Sequence, residues 1–364
     1  MLSQLIVLCV AMNAIHARSV ITEARLPEYC LSDNQITARD TNINCLVPSD
    51  AILNYDVLKL WSDRLNQDFS FTIECENGGT VELPWPMKAQ RIVNLKVNGC
   101  RMVGFFKNMK LPSNIPDTMK DLIITNSTIV YTMGDLIEVL KRYSDASLSE
   151  ENECGQQTMT KFIFRDIKFD AQMDIVDPNI LMAMEGHVEN MINSSSSQIC
   201  DYRHLAYFDE SGSTPTSSYH FKLLTMNTQY PSLRTYRTAE VDLWRIPDQL
   251  QNYRQYFPCL KSLDMSNNNI ETVNFTMVST TPCLLSPTQQ PSYINLRFNK
   301  ITTVSAAMLD TMMDNDIIVD VRNNPINCTL QGDSLKNYAE HMVTVYPTFS
   351  SLFSDLPCRE QQIF

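Results

Sequence analysis

Residues 260–270 read Leu260-Lys261-Ser262-Leu263-Asp264-Met265-Ser266-Asn267-Asn268-Asn269-Ile270. With Leu260 as position 1, apolar residues fall at positions 1, 4, 6 and 11, and an asparagine at position 9. Positions 4 and 6 are two apart, so on a short strand they share one face, with 5 and 7 on the other. Positions 1 and 11 close the same core from either side. The position-9 amide both donates and accepts, and can bond backbone groups where the chain turns away from the strand. Such a unit buries its apolar face only against copies of itself, so it predicts a stack.

The copies are present. Downstream, Ile294, Leu296, Asn299 and Ile301 follow Pro291 at position 1, and Val319, Val321, Asn324 and Ile326 follow Asp316. Upstream, Ile92, Leu95, Val97 and Met102 match with Cys100 at position 9, and Met119, Leu122, Ile124 and Ile129 match with Ser127 there. Three middle units are degenerate. Met159, Phe162, Phe164 and Phe169 fit one; Tyr202, Leu205 and Tyr207 a second; Leu233, Tyr236 and Leu243 a third, with Thr238 at position 6. The units start at residues 92, 119, 159, 202, 233, 260, 291 and 316. The two longest intervals, 119–159 and 159–202, exceed the usual ~20–29 residues per repeat. They contain amphipathic helical patterns over 133–143 and 179–191, with a third helix over 306–313. An ordinary α/β domain of βα units is the alternative, but it gives no reason for the recurrent asparagine.

This pattern resembles the leucine-rich-repeat family, over residues 92–358 and most strongly over 260–328. It is similar to Toll-like receptor ectodomains and to soluble invertebrate leucine-rich-repeat proteins. The resemblance implies an α/β solenoid (horseshoe) with a parallel concave sheet, about eight irregular repeats, helical convex insertions and disulfide-stabilised caps. Asn324-Pro-Ile-Asn-Cys328 resembles the family's C-terminal cap, which begins Asn-Pro-x-x-Cys. That likeness implies a Cys328–Cys358 bridge around a cap helix over 334–342. Leu330 stands where many family caps have a second cysteine, so this cap is a reduced one. The expected organisation is a signal peptide over 1–17, an N-terminal cap region over 18–91, repeats over 92–327 and a C-terminal cap over 328–364.

Residues 5–12 are apolar, uncharged and too short to span a bilayer, and Ala17 suits a signal-peptidase cut. No other stretch approaches the ~20 apolar residues of a membrane span, so a secreted, extracellular product is expected. Of the 11 cysteines, Cys9 falls in the leader. The rest, Cys30, Cys45, Cys75, Cys100, Cys154, Cys200, Cys259, Cys283, Cys328 and Cys358, are even in number, which favours disulfides in an oxidising compartment. Cys75 pairs with Cys100, or Cys100 stays a buried thiol of the ladder. Cys154 with Cys200, and Cys259 with Cys283, are further candidates; sequence alone does not fix pairing. Sequons at Asn126, Asn193, Asn274 and Asn327 point to glycosylated, exposed positions.

The formal charge of −12 argues against nucleic-acid partners, because phosphate neutralisation needs Lys and Arg. None of His187, His204, His220 and His341 stands in a metal-ligand spacing, and glycine-rich phosphate loops and nucleophile elbows are missing. No enzyme activity, cofactor or metal is expected. Outward-facing position 5 reads Lys96, Ile123, Ile163, Ala206, Arg237, Asp264, Asn295 and Asp320. Position 7 reads Asn98, Thr125, Arg165, Phe208, Ala239, Ser266, Arg297 and Arg322. Aromatic and Arg residues are frequent binding hot spots. The candidate ligand face is therefore Ile163, Arg165, Phe208, Arg237, Asp264, Arg297, Asp320 and Arg322. A glycan on Asn126, at position 8, would direct a ligand to repeats three to eight. The expected function is a secreted, non-catalytic binding protein for a protein or glycan ligand, with innate immunity implied by the resemblance. A matrix or cell-adhesion component is the alternative, with a homodimer or matrix molecule as partner.

Overall fold

The structure is a computed structural model describing residues 27–32, 41–64, 67–85, 87, 90–108, 118–132, 134–135, 158–172, 200–213, 228–276, 283, 285 and 291–351. The leader 1–17, the helix expected over 179–191, most of that over 133–143, and Cys154, Asn193 and Cys358 lie outside them.

Eleven strands form the larger sheet, in the order β1 (Cys30–Ser32), β2 (Thr41–Val47), β4 (Phe69–Cys75), β6 (Ile92–Asn98), β8 (Asp121–Thr125), β10 (Lys161–Arg165), β13 (Tyr207–Asp209), β15 (Thr235–Arg237), β16 (Ser262–Asp264), β17 (Ser292–Asn295) and β18 (Ile317–Asp320). β1 is antiparallel to β2; every other pair is parallel. One repeat advances the chain by one strand, which is a leucine-rich-repeat solenoid. The position-4 residues form one buried ladder: Ile43, Phe71, Leu95, Leu122, Phe162, Phe208, Tyr236, Leu263, Ile294 and Val319.

Two features differ from the sequence expectation. β2 and β4 lie within the expected cap region 18–91, yet they pair in parallel with the repeats, so the ladder starts at Thr41. Beyond it, among the described residues, β1 pairs antiparallel with β2, is joined to it by the Cys30–Cys45 disulfide, and lies at the sheet edge. The fourth repeat is also displaced by three residues. Phe208, expected on the open face, aligns with Phe162 and Tyr236 and is 2% exposed. Its ring stacks on Phe162 at 5.4 Å and on Tyr236 at 5.1 Å. Asp209 takes position 5 in place of Ala206. The physical reason is the burial of one more large ring in an aromatic spine. It is bought by placing Glu210 at core position 6, where the Tyr236 hydroxyl donates to it at 2.5 Å.

At position 8 every one of these eight repeats enters the left-handed region: Gly99, Asn126, Asp166, Gly212, Glu240, Asn267, Phe298 and Asn323. The turn follows at once, and position 9 holds it. Asn268, Asn299 and Asn324 each donate to the position-6 carbonyls of their own and the preceding repeat, at 2.9–3.0 Å. Their Oδ1 atoms accept the position-11 amides of the preceding repeat, from Leu243, Ile270 and Ile301. These bonds satisfy buried backbone groups that have no strand partner. Ser213 and Ser127 substitute a hydroxyl, and Cys100 closes a disulfide with Cys75.

In the N-terminal half a second parallel sheet follows the turn. It runs β11 (Lys168–Gln172), β9 (Thr128–Thr132), β7 (Arg101–Val103), β5 (Thr80–Glu82) and β3 (Ile52–Leu53). Among the described residues of the C-terminal half, only a bridge between Thr272 and Thr303 continues it. A separate parallel pair joins β12 (Cys200–Asp201) to β14 (Thr228–Gln229).

The convex helix Ala306–Asp314 starts at Ser305, whose hydroxyl accepts the Met308 amide. The cap helix runs Cys328–Val345, longer than expected at both ends. Leu335, Tyr338 and Met342 are buried, at helical spacing. The Tyr338 hydroxyl accepts from the Val319 amide and donates to the Ile317 carbonyl, both at 2.8 Å. The edge of β18 is thereby satisfied rather than left as a template for another chain. Cys259 and Cys283 form a third disulfide.

Candidate ligand-binding face

Positions 3, 5 and 7 project from the larger sheet away from its core. From the third repeat onward their polar side chains form two clusters, a lattice from Arg165 to Asn295 and a separate group around Asp320. The Arg165 guanidinium donates to Asp209. Asp209 also lies 3.6 Å from Arg237, and the Tyr207 hydroxyl donates to it at 3.3 Å. Arg237 reaches on to Asp264 at 3.4 Å. Asp264 accepts from the Asn295 amide at 2.9 Å and the Ser266 hydroxyl at 2.7 Å. At the C-terminal end, Arg322 grips Asp320 through Nε at 2.9 Å and a terminal nitrogen at 2.7 Å, and the Tyr293 hydroxyl donates to the same carboxylate at 3.1 Å.

The repeat explains why Asx residues recur here. In four repeats the position-5 side chain accepts the backbone amide of position 7: Asp209 from Ser211, Asp264 from Ser266, Asn295 from Arg297 and Asp320 from Arg322. This local turn ends the strand and fixes the position-5 side chain by a bond to its own backbone. The basic side chains then lie over the acids. Asp209 and Asp320 side chains are fully buried, whereas those of Arg165 and Arg237 are 40% and 38% exposed. Burial by itself pushes the Asp209 carboxyl up, but hydrogen bonds from Arg165 and Ser211 outweigh it and hold the group below its ordinary value. Tyr293 is pushed up by burial and by the Asp320 charge, so its hydroxyl remains a donor.

Of the expected face, Arg165, Arg237 and Asp264 belong to the lattice, and Asp320 and Arg322 to the separate C-terminal cluster. Arg297 makes no ion pair among the described residues; its guanidinium lies 5.1 Å from the Phe298 ring centroid, and its Nε is buried without an acceptor. Ile163 keeps position 5 but is only 9% exposed. Phe208 is in the core. Sequence reasoning missed Asp209, Tyr207 and Tyr293. Gly212 and Ser213, standing at positions 8 and 9 as Asn126 and Ser127 do, were the signal that fixes the register around Asp209.

The sequon residues Asn126, Asn274 and Asn327 are exposed. His204 is exposed just before β13, and no cluster of metal-ligating side chains occurs among the described residues. No helix among them is long and apolar enough to cross a membrane.

No family profile and no curated protein matches the sequence. Among solved structures the chain is similar to human 5T4 (Wnt-activated inhibitory factor 1, trophoblast glycoprotein), at 15% identity and a TM-score of 0.36, over 87% of this chain and 88% of that one. It is also similar to TLR13 in the TLR13–ssRNA13 complex, at 12% identity and a TM-score of 0.26, over 78% of this chain and 46% of that one.

Proposed function

We propose that this chain is a secreted, non-catalytic binding protein that takes a protein ligand on the concave face of its third to eighth repeats. The observation that carries the reading is the lattice from Arg165 through Asp209 and Arg237 to Asp264, in which the buried Asp209 and the half-buried Asp264 hold partly exposed guanidinium groups. Donors fixed in this way lose little further freedom when a ligand arrives. Arg and Tyr are also the side chains most often found as hot spots. The apolar leader, the three disulfides among the described residues and the exposed sequons support export. A role in innate immunity follows from the sequence resemblance and belongs to the same proposal.

The test is affinity capture with glycosylated protein, followed by affinity measurement on a Tyr207→Ala/Arg237→Ala variant. A loss of tenfold or more, about 1.4 kcal/mol, is expected. A captured ligand that binds this variant with unchanged affinity would remove the concave face from the account.

A further inference from the structure

The rim where the strands begin has a charge pattern that the concave lattice does not use. In each repeat the position-2 carbonyl accepts from the next repeat. Lys120 accepts the Thr160 and Lys161 amides, Thr160 those of Ala206 and Tyr207, Ala206 those of Arg234 and Thr235, and Arg234 those of Lys261 and Ser262. This backbone chain stacks Lys120, Thr160, Ala206, Arg234 and Lys261 at the ~4.8 Å spacing of strands, over about 19 Å. Lys120, Arg234 and Lys261 are exposed, as are Arg203 and His204 just before Ala206, and Lys161 is partly exposed beside them. Over segments 118–121, 158–161, 200–207, 230–235 and 257–262 the rim carries five Lys or Arg against Asp121 and Asp201. Among the described residues, Lys120, Lys161, Arg234 and Lys261 make no ion pair. The opposite rim, at position 8 of the same repeats, carries Asp166 and Glu240 and no cation. In a chain of net charge −12 this is a local reversal of sign.

We infer that the strand-start rim from Lys120 to Lys261 is a docking rail for a sulfated polysaccharide. The inference goes beyond the concave-face reading, and its triple variant shares no residue with that test and leaves in place Lys161, whose ammonium lies 5.7 Å from the Tyr207 ring centroid. The rail offers exposed cations at Lys120, Arg203, Arg234 and Lys261, while its remaining position-2 residues, Thr160 and Ala206, provide no large apolar anchor. A folded protein partner binds through a cluster of hot-spot side chains set in well-packed, desolvated pockets. A linear polyanion needs only repeated charge and donors along a line. Its attachment is governed by displacement of counterions and is steep in salt.

Heparin is the probe, titrated against the full glycosylated chain. Binding should weaken on the order of a hundredfold between 50 and 200 mM NaCl, by the counterion argument for about five contacts. Lys120→Glu/Arg234→Glu/Lys261→Glu should abolish it, with an unchanged melting temperature. Lys300→Glu/Lys336→Glu, at exposed positions away from the rail, should bind as the parent does. Four results would overturn the proposal: no heparin binding by the parent at 50 mM salt, equal binding of desulfated heparin, equal or tighter binding of polyglutamate (which would mark an acidic peptide site), or retention by the triple variant. None of them bears on Tyr207 or Arg237, so the two readings fail separately.

Discussion

The two halves of this solenoid solve the same problem with different chemistry. After each strand the chain must turn and leave buried backbone groups satisfied. In the C-terminal half an amide at position 9 does this, and Asn268, Asn299 and Asn324 bond across consecutive repeats. In the N-terminal half position 9 is Cys100, Ser127 or Ile167, and the backbone passes directly into the second sheet, β7, β9 and β11. Sheet hydrogen bonds there replace side-chain ones. The difference teaches that the asparagine ladder is used only where no second strand follows; in the fifth repeat, with Val241 at position 9, Asn268 of the next repeat serves the turn instead.

The fourth repeat is the seam between these regimes, and it carries the largest expected effects. Phe208→Ala removes the middle ring of the Phe162–Phe208–Tyr236 stack and should cost about 4 kcal/mol in denaturant unfolding. If Phe208 faced ligand instead, the loss would be near zero.

Glu210 marks the same seam. Burial raises its pKa to about 7, against bonds from Tyr236 that lower it. A carboxyl with a folded pKa above its ordinary value favours the fold when neutral. Its contribution is full below about pH 4.5 and is lost as pH rises through 7. Asp209, held low, acts in the opposite sense and loses its contribution only in more acidic solution. Glu210→Gln should therefore flatten the decline between pH 4.5 and 7 and gain on the order of 3 kcal/mol at pH 8. An unaltered pH–stability curve would detach Glu210 from that decline.

The comparison of halves is sharpened by a pair of substitutions at one position. Asn299→Ala leaves the Met265 and Leu296 carbonyls and the Ile270 amide without that partner and should cost about 3 kcal/mol. Ser127→Ala, flanked by strands of both sheets, should cost about 1 kcal/mol. Equal losses would mean that the second sheet does not replace the ladder. The smallest effect is at position 8, where the N-terminal half uses Gly99 and the C-terminal half places Phe298 at φ 56°. Phe298→Asn should raise stability by up to about 1 kcal/mol, less whatever its contact with Arg297 contributes.

Legibility in the sequence follows the same divide. The repeats ending in Asn268, Asn299 and Asn324 could be placed to the residue, and with them Asp264, Asp320 and Arg322; Arg237 was placed from Leu233 and Tyr236 of the degenerate fifth repeat. β2 and β4 were not recognised as ladder strands, because a strand that hands its turn to a second strand needs no asparagine. The fourth repeat was misplaced for a different reason. Leu205 and Tyr207 imitate the 4 and 6 positions, while the true position 6 is a glutamate whose burial depends on a tyrosine from the following repeat. Such a contact cannot be read within one repeat. It displaced Asp209 from the candidate face and put Phe208 there instead.

The central claim is that ligand meets the larger sheet at the Arg165–Asp209–Arg237 lattice. Amide hydrogen exchange of the glycosylated protein, with and without bound ligand, tests it most directly. The account predicts added protection over 207–211 and 235–239, and none over 128–132 or 168–172 in the second sheet. Protection of β9 and β11 with β13 and β15 unchanged would contradict it.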